Sequence, residues 1–287
     1  MVKTNKTLKF INAFSLLQFV IFLFLFKLPS IAFAMPLFDV HLHYNQSDVD
    51  SISPLDVVSI LKRNNVRYAV VTSHPPELAV QLYRHAPGII IPMLGLYQTH
   101  EDKTRWFNDT QLPARIEAEI KKGTWKAIGE LHIFAKQRNR PVFKKIIQLA
   151  LDYRLPVNIH GDPAVIDAVY EMAPGHPVIW AHGGTFPYPD LLADYLQRYP
   201  QLHIDISVRD ERIAPGGKLS DDWYELLLRF PARFMVGVDT FSTGRWKIFD
   251  QVVDQIRQWL SQLPPDIAQQ IAFDNAERVL RGSSTEQ

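Results

Sequence analysis

Residues 38–43 read Phe38-Asp39-Val40-His41-Leu42-His43. On a β-strand, side chains two apart project to the same face, so His41 and His43 stand side by side. The surrounding run, Pro36–His43, is expected as a strand, and the same construction recurs down the chain. Short runs, most of them rich in Val and Ile, are expected as strands over Arg67–Ser73, Ile89–Gly95, Thr124–Leu131, Leu155–His160, Pro177–His182, Leu202–Ser207 and Arg233–Asp239. Helical stretches lie between them. Ser53-Pro54 supplies an N-cap and a proline at the first position for Leu55–Asn64. Others are expected over Leu112–Lys122, Pro141–Tyr153, Ala164–Met172, Pro189–Arg198 and Asp221–Arg229, and over Lys247 to Arg281 with a break at Pro264-Pro265.

Eight strands, each followed by a helix or loop, in about 250 residues match a single-domain α/β fold, the (β/α)8 TIM barrel. An open doubly-wound sheet would carry a glycine-rich turn after its first strand, and this chain has none. No internal repeat, low-complexity tract or linker divides the sequence.

The N-terminus reads differently. Lys3, Lys6 and Lys9 precede the largely apolar Phe10–Phe26, and Ala32-Phe33-Ala34 ends the segment with a small-x-small pattern. Residues 1–34 are therefore expected to be a cleaved signal peptide, and the protein to be exported, periplasmic or secreted. The alternative is a membrane anchor through residues 10–26, a run of about 17 residues at the short limit for a span. Residues 35–287 then form the barrel domain.

Charge and composition exclude several classes. The chain has 287 residues with 31 Lys+Arg against 30 Asp+Glu. The leader removes four lysines and no acid, leaving 27 basic and 30 acidic residues and a formal charge of −3. Neither balance suits nucleic acid or an anionic membrane surface, so a small-molecule substrate is the expected partner. A hydrophobic share of 47% excludes wholesale disorder. With no cysteine, disulfides and thiolate metal sites are impossible. All ten histidines lie beyond the leader.

Barrel active sites form at the carboxyl ends of the strands. There His41 and His43 close the first expected strand, Glu130 and His132 the fourth, His160 the fifth, His182 the sixth and Asp239 the eighth. Imidazoles and carboxylates gathered at one barrel mouth make a divalent-metal site. Zn2+ suits these donors best, and Mn, Fe, Co or Ni also fit.

The order His-x-His, His, His and Asp resembles the amidohydrolase superfamily. The closing Ile271-Ala272-Phe273-Asp274-Asn275-Ala276-Glu277-Arg278-Val279-Leu280 is similar to that of its amidohydrolase-related (family 2) branch. The resemblance covers essentially all of the chain beyond the leader. It implies that His41, His43 and Asp239 hold a first ion, and that His160 binds that ion or a second. His182 would bind a second ion or polarise the substrate. Glu130 would bridge two ions, or else be a salt-bridged strand-end glutamate, so one or two ions remain open. His132 is expected in the loop.

Such an ion lowers the pKa of bound water, and Asp239 is the natural general base beside it. The expected function is a metal-dependent hydrolase acting on an ester, lactone, amide or related bond. The alternatives are a decarboxylase of the same superfamily and a non-catalytic metal- or ligand-binding barrel. Arg209 and Arg245, in loops after the seventh and eighth strands, are candidates for reading an anionic substrate group. The aromatics Tyr97, Trp106, Phe186, Tyr188 and Trp246 could wall a pocket, with core or rim packing as their default.

Overall fold

A computed structural model describes residues 35–282, so the expected leader and the alternative anchor lie outside the described residues. The strands are β1 (Leu37–His43), β2 (Val66–Thr72), β3 (Ile90–Leu94), β4 (Ala127–Ile133), β5 (Val157–Gly161), β6 (Val178–Trp180), β7 (Leu202–Asp205) and β8 (Phe234–Met235). They pair in parallel, in sequence order. Main-chain bonds from Val40 N to Val236 O (3.0 Å) and from Asp239 N to His41 O (2.8 Å) close the seam between the last segment and β1. Each strand is followed by a helix: α1 (Pro54–Arg63), α2 (Glu77–His85), α3 (Leu112–Ile120), α4 (Pro141–Asp152), α5 (Pro163–Met172), α6 (Pro189–Arg198), α7 (Asp221–Arg229) and α8 (Phe249–Leu260). This is the (β/α)8 TIM barrel. Among the described residues no helix is long and apolar enough to cross a membrane.

Local chemistry sets these elements. Ser53 Oγ accepts from Asp56 N at 3.2 Å while Ser53 N donates to the Asp56 carboxylate at 3.3 Å. That reciprocal cap, with Pro54 behind it, starts α1 one residue earlier than expected. Helix α2 has no counterpart among the expected elements, because Pro75-Pro76 punctuates the chain as a turn. Its stripe is only Leu78, Ala79 and Leu82.

Two strands carry irregularities that matter for function. The β1 register shifts between Asp39 and Leu42, and the β4 register between Ile128 and Leu131. Below those shifts Phe38, Val40 and Ala127 pack in the small cluster that fills the barrel interior. Above them Leu42, Leu131 and Ile133 pack in the layer between strands and helices. A bulge inserts one residue and re-aims the side chains beyond it. It turns His41, His43, Glu130 and His132 inward without breaking the apolar alternation below. Gly129 permits this on β4: with φ +151°, an added Cβ would stand 2.7 Å from Asn158 O.

His203, buried on β7, is remote from the mouth. Burial first, and then the Arg233 and Arg278 guanidinium groups, push its pKa down to about 3. The folded imidazole is therefore neutral where the unfolded one, near 6.5, takes up a proton. Its contribution to stability is full above about pH 6.5 and is lost as pH falls towards about 3. His203→Gln should flatten the fall in urea-unfolding stability between pH 7 and about pH 4. An identical fall in the variant would contradict this.

Candidate metal centre

The mouth gathers every residue expected to hold a metal. His41 Nε2 and His43 Nε2 lie 3.1 Å apart. Glu130 Oε2 is 3.7 Å from His41 Nε2 and 3.6 Å from His43 Nε2. The other oxygen, Oε1, is 2.8 Å from His160 Nδ1 and 3.4 Å from His182 Nε2. Asp239 Oδ1 stands 3.8 Å from His41 Nε2 and 3.4 Å from His43 Nε2, and Oδ2 stands 3.7 Å from His182 Nε2. Glu130 is thus shared by two clusters of possible ligands, one with His41 and His43 and the other with His160 and His182.

The donor chemistry fits a divalent cation. Asp239 Oδ1 is buried with no hydrogen-bond partner, although three imidazoles surround the carboxylate. An orphaned carboxylate oxygen is costly unless a cation meets it. Burial works against charge on His41, yet Asp239, Glu130 and Asp205 outweigh it and raise its pKa well above the ordinary value. A field that holds a proton there equally favours a metal ion. Burial likewise opposes charge on Glu130 and Asp239. For Glu130 the imidazoles of His132, His41, His160 and His182 prevail, and for Asp239 those of His41 and His43, so both carboxyls sit well below the usual range.

The structure also brings in residues the sequence reading missed. Asp205, at the end of β7, accepts from His41 Nδ1 at 2.6 Å. That contact fixes the tautomer that presents the Nε2 lone pair to the mouth. Asp205 also falls in a possible ligand cluster with His41 and His182, but it approaches the far side of the His41 ring and acts there as an orienting group. Its sequence signal was a carboxylate inside the apolar run Leu202-His203-Ile204-Asp205-Ile206. His182 Nδ1 faces the main-chain oxygen of Ser207 at 3.2 Å, an acceptor only, so Nε2 is again the free nitrogen. Asp205→Asn should weaken metal affinity by about 10- to 100-fold while leaving the fold intact, as read by competitive chelation. Unchanged affinity would show that Asp205 does not orient His41.

His132 is not in the loop. It lies on β4, its ring stacks on His160 at 4.5 Å, and its Nε2 is 3.5 Å from Glu130 Oε2. Tyr97 and Trp106 hold its backbone: His132 N donates to Tyr97 Oη at 2.7 Å, and Trp106 Nε1 donates to His132 O at 2.8 Å. Burial, Lys103 and the neighbouring imidazoles of His160 and His43 outweigh the pull of Glu130 and lower its pKa to about 3.

His182 and Asp239 lie just past the strands expected to end on them. Both adopt left-handed backbone, φ +58° and +55°. The two arginines expected to read a substrate anion make main-chain contacts here. Arg209 donates to His182 O (3.0 Å) and Gly184 O (2.9 Å), and Arg245 donates to Asp239 O (3.2 Å) and Val238 O. Each guanidinium fork clamps the unusual backbone that aims a site residue. On the β1 side, Thr240 Oγ1 accepts from His43 N at 2.8 Å and donates to His43 O at 2.7 Å. A Cβ at Gly237 would stand 2.9 Å from His41 Cβ, so only glycine lets this segment pass so close.

Known proteins share this barrel and part of its sequence pattern. The family model of TatD-related DNases matches residues 38–175, which hold His41, His43, Glu130 and His160 but neither His182 nor Asp239. No curated protein matches the chain at a significant level. Among solved structures, the uncharacterised TIM-barrel protein Bb4693 of Bordetella bronchiseptica superposes with a TM-score of 0.63 at 13% identity, covering 86% of this chain and 99% of that one. A Staphylococcus aureus amidohydrolase, so designated provisionally, gives 0.59 at 11% identity over 86% and 100%. The 2,6-dihydroxybenzoate decarboxylase of Rhizobium gives 0.54 at 9% over 85% and 99%.

Proposed function

We propose, from the premise that the chain has the amidohydrolase-superfamily fold, that it is a metal-dependent hydrolase cleaving an ester, lactone, amide or related bond of a small molecule. The observation that carries this reading is the division of Glu130, whose two oxygens face two different histidine sets. His41, His43 and Asp239 would hold one ion, His160 and His182 the other, and Glu130 would bridge them. Zn2+ is the ion these donors suit best, with Mn, Fe, Co and Ni as alternatives. Ions bound there would make water nucleophilic near neutral pH and polarise the bond under attack. Asp239, ionised and buried beside them, accepts the proton of the attacking water and delivers it to the leaving group. His182, with Nδ1 fixed by Ser207, keeps Nε2 directed at the reacting centre.

A second reading is decarboxylation, favoured by the similarity to the Rhizobium decarboxylase barrel. The description of the matching family adds a phosphodiester to the candidate bonds. A panel of ester, lactone, amide and phosphodiester substrates, run on metal-loaded protein beside a CO2-release assay on aromatic acids, separates these. Chelation-sensitive hydrolysis is the expected result, and CO2 release without hydrolysis would replace it with the second reading. Export, to the periplasm or beyond, is proposed on the sequence of residues 1–34 alone.

A further inference from the structure

The two ends of the barrel differ in what they expose. Among the described residues, Leu151, in the last turn of α4, is the one exposed large apolar side chain at the amino ends of the strands. The others stand at the carboxyl ends. Phe134, Phe186, Tyr188, Phe241 and Ile248 lie in the segments leaving β4, β6 and β8, and Val49 and Leu55 follow β1. Phe186 and Tyr188 are 62% and 54% exposed, and their rings stack at 6.3 Å and 9°. The Arg212 guanidinium lies 5.2 Å over the Tyr188 ring, and that of Arg245 lies 5.7 Å over Phe241. Scattered exposed apolar residues need no explanation, but a set gathered at one end marks a binding surface.

Charge divides the same end into halves. Segments 134–140, 183–188 and 240–248, which carry these rings, contain Lys136, Arg138, Arg140, Arg245 and Lys247 and no Asp or Glu. Among the described residues none of those five makes an ion pair. On the loops between, Asp162, Asp210 and Glu211 already accept from Ala135 N, Trp259 Nε1 and Gly216 N, respectively. On the β1–β3 half, Asp48, Asp50, Glu101, Asp102 and Asp109 outnumber Lys103 and Arg105. The formal −3 of residues 35–287 conceals this division.

We propose that the β4–β8 half of the mouth docks on a lipid surface rich in anionic headgroups, with the barrel opening against the bilayer. Rings settle at headgroup depth, while Lys and Arg keep their charge in water and meet the lipid phosphates. A nucleic acid would answer the charge alone; Ile248 and the phenylalanine rings gain most where acyl chains cover them. The docking goes beyond the hydrolase reading and needs neither metal nor turnover.

Vesicle co-sedimentation of residues 35–287, which contain the whole closed barrel, tests this. Vesicles of phosphatidylcholine alone are compared with vesicles carrying about one part in four phosphatidylglycerol, at about 0.1 M salt. The wild type should bind the anionic vesicles and leave the neutral ones largely unbound. Lys136→Gln combined with Arg140→Gln should weaken that binding about 25-fold, since each basic residue near such a surface contributes about fivefold. Phe186→Ala and Phe241→Ala should each weaken it about tenfold, the low end of what burying such a ring contributes. Leu151→Ala, at the far end of the barrel, should leave it unchanged. Equal binding to both vesicles, or wild-type binding by the double variant and by the ring variants, overturns the proposal. So does a single-stranded oligonucleotide that binds through Lys136 and Arg140 while anionic vesicles stay free. A dimer seen by light scattering, dissociated by Phe186→Ala and indifferent to vesicles, would assign the surface to a second copy and overturn it equally.

Discussion

Asp239→Asn is expected to lower kcat by about a thousandfold at saturating metal, within the range a positioned general base contributes. The substitution is nearly isosteric, and the backbone on which it sits is held independently of the side chain. Asp239 N donates to His41 O at 2.8 Å, and Arg245 binds Asp239 O at 3.2 Å. An asparagine oxygen can still approach a cation, but the amide cannot take a proton from water. Because His41 and His43 overcome burial and hold the Asp239 carboxyl well below the usual range, the wild-type group is an ionised base throughout neutral pH. The check is kcat measured beside metal content for the same preparation. Full turnover in a fully loaded variant would remove Asp239 from the proton transfer.

Glu130→Ala should have the second large effect: metal content falls from two ions per chain to one, and kcat falls by at least about a hundredfold. The cause is geometric. Glu130 Oε1 lies 2.8 Å from His160 Nδ1 and Oε2 lies 3.6 Å from His43 Nε2, so the two oxygens of one carboxylate reach both histidine sets. Removing it also deprives His41 of one of three carboxylates that favour positive charge there. A ligand bound only by the folded state stabilises it by about 2.7 kcal/mol at a hundred times its dissociation constant. The wild type should therefore melt higher with metal than without it, and Glu130→Ala should keep only part of that gain. A variant that retained two ions and wild-type turnover would make Glu130 a salt-bridged glutamate and nothing more.

The barrel was legible because strand and helix periodicities differ and alternate along the chain, with the helix after Pro75-Pro76 as the gap. His41, His43, His160, His182 and Asp239 were legible because the carboxyl ends of barrel strands are where such groups converge. Three features were not. The bulges in β1 and β4 leave no mark in a hydrophobic pattern, since a one-residue shift only exchanges the face to which later side chains belong. That exchange is why Glu130 and His132 lie within β4 and still face the mouth. Asp205 contacts His41 from 164 positions away, a pairing that no local spacing encodes. Arg209 and Arg245 bind main-chain oxygens left exposed by the left-handed turns at His182 and Asp239, contacts that their spacing in the chain does not encode. Such turns are hard to anticipate at non-glycine residues.

These imidazoles and carboxylates are expected to form a divalent-metal centre. Elemental analysis of the purified protein after dialysis from metal-replete buffer tests it most directly, beside His43→Ala and His182→Ala. Two transition-metal ions per wild-type chain are expected, with at least one lost in each variant. Wild-type protein carrying no stoichiometric metal under those conditions would contradict the claim.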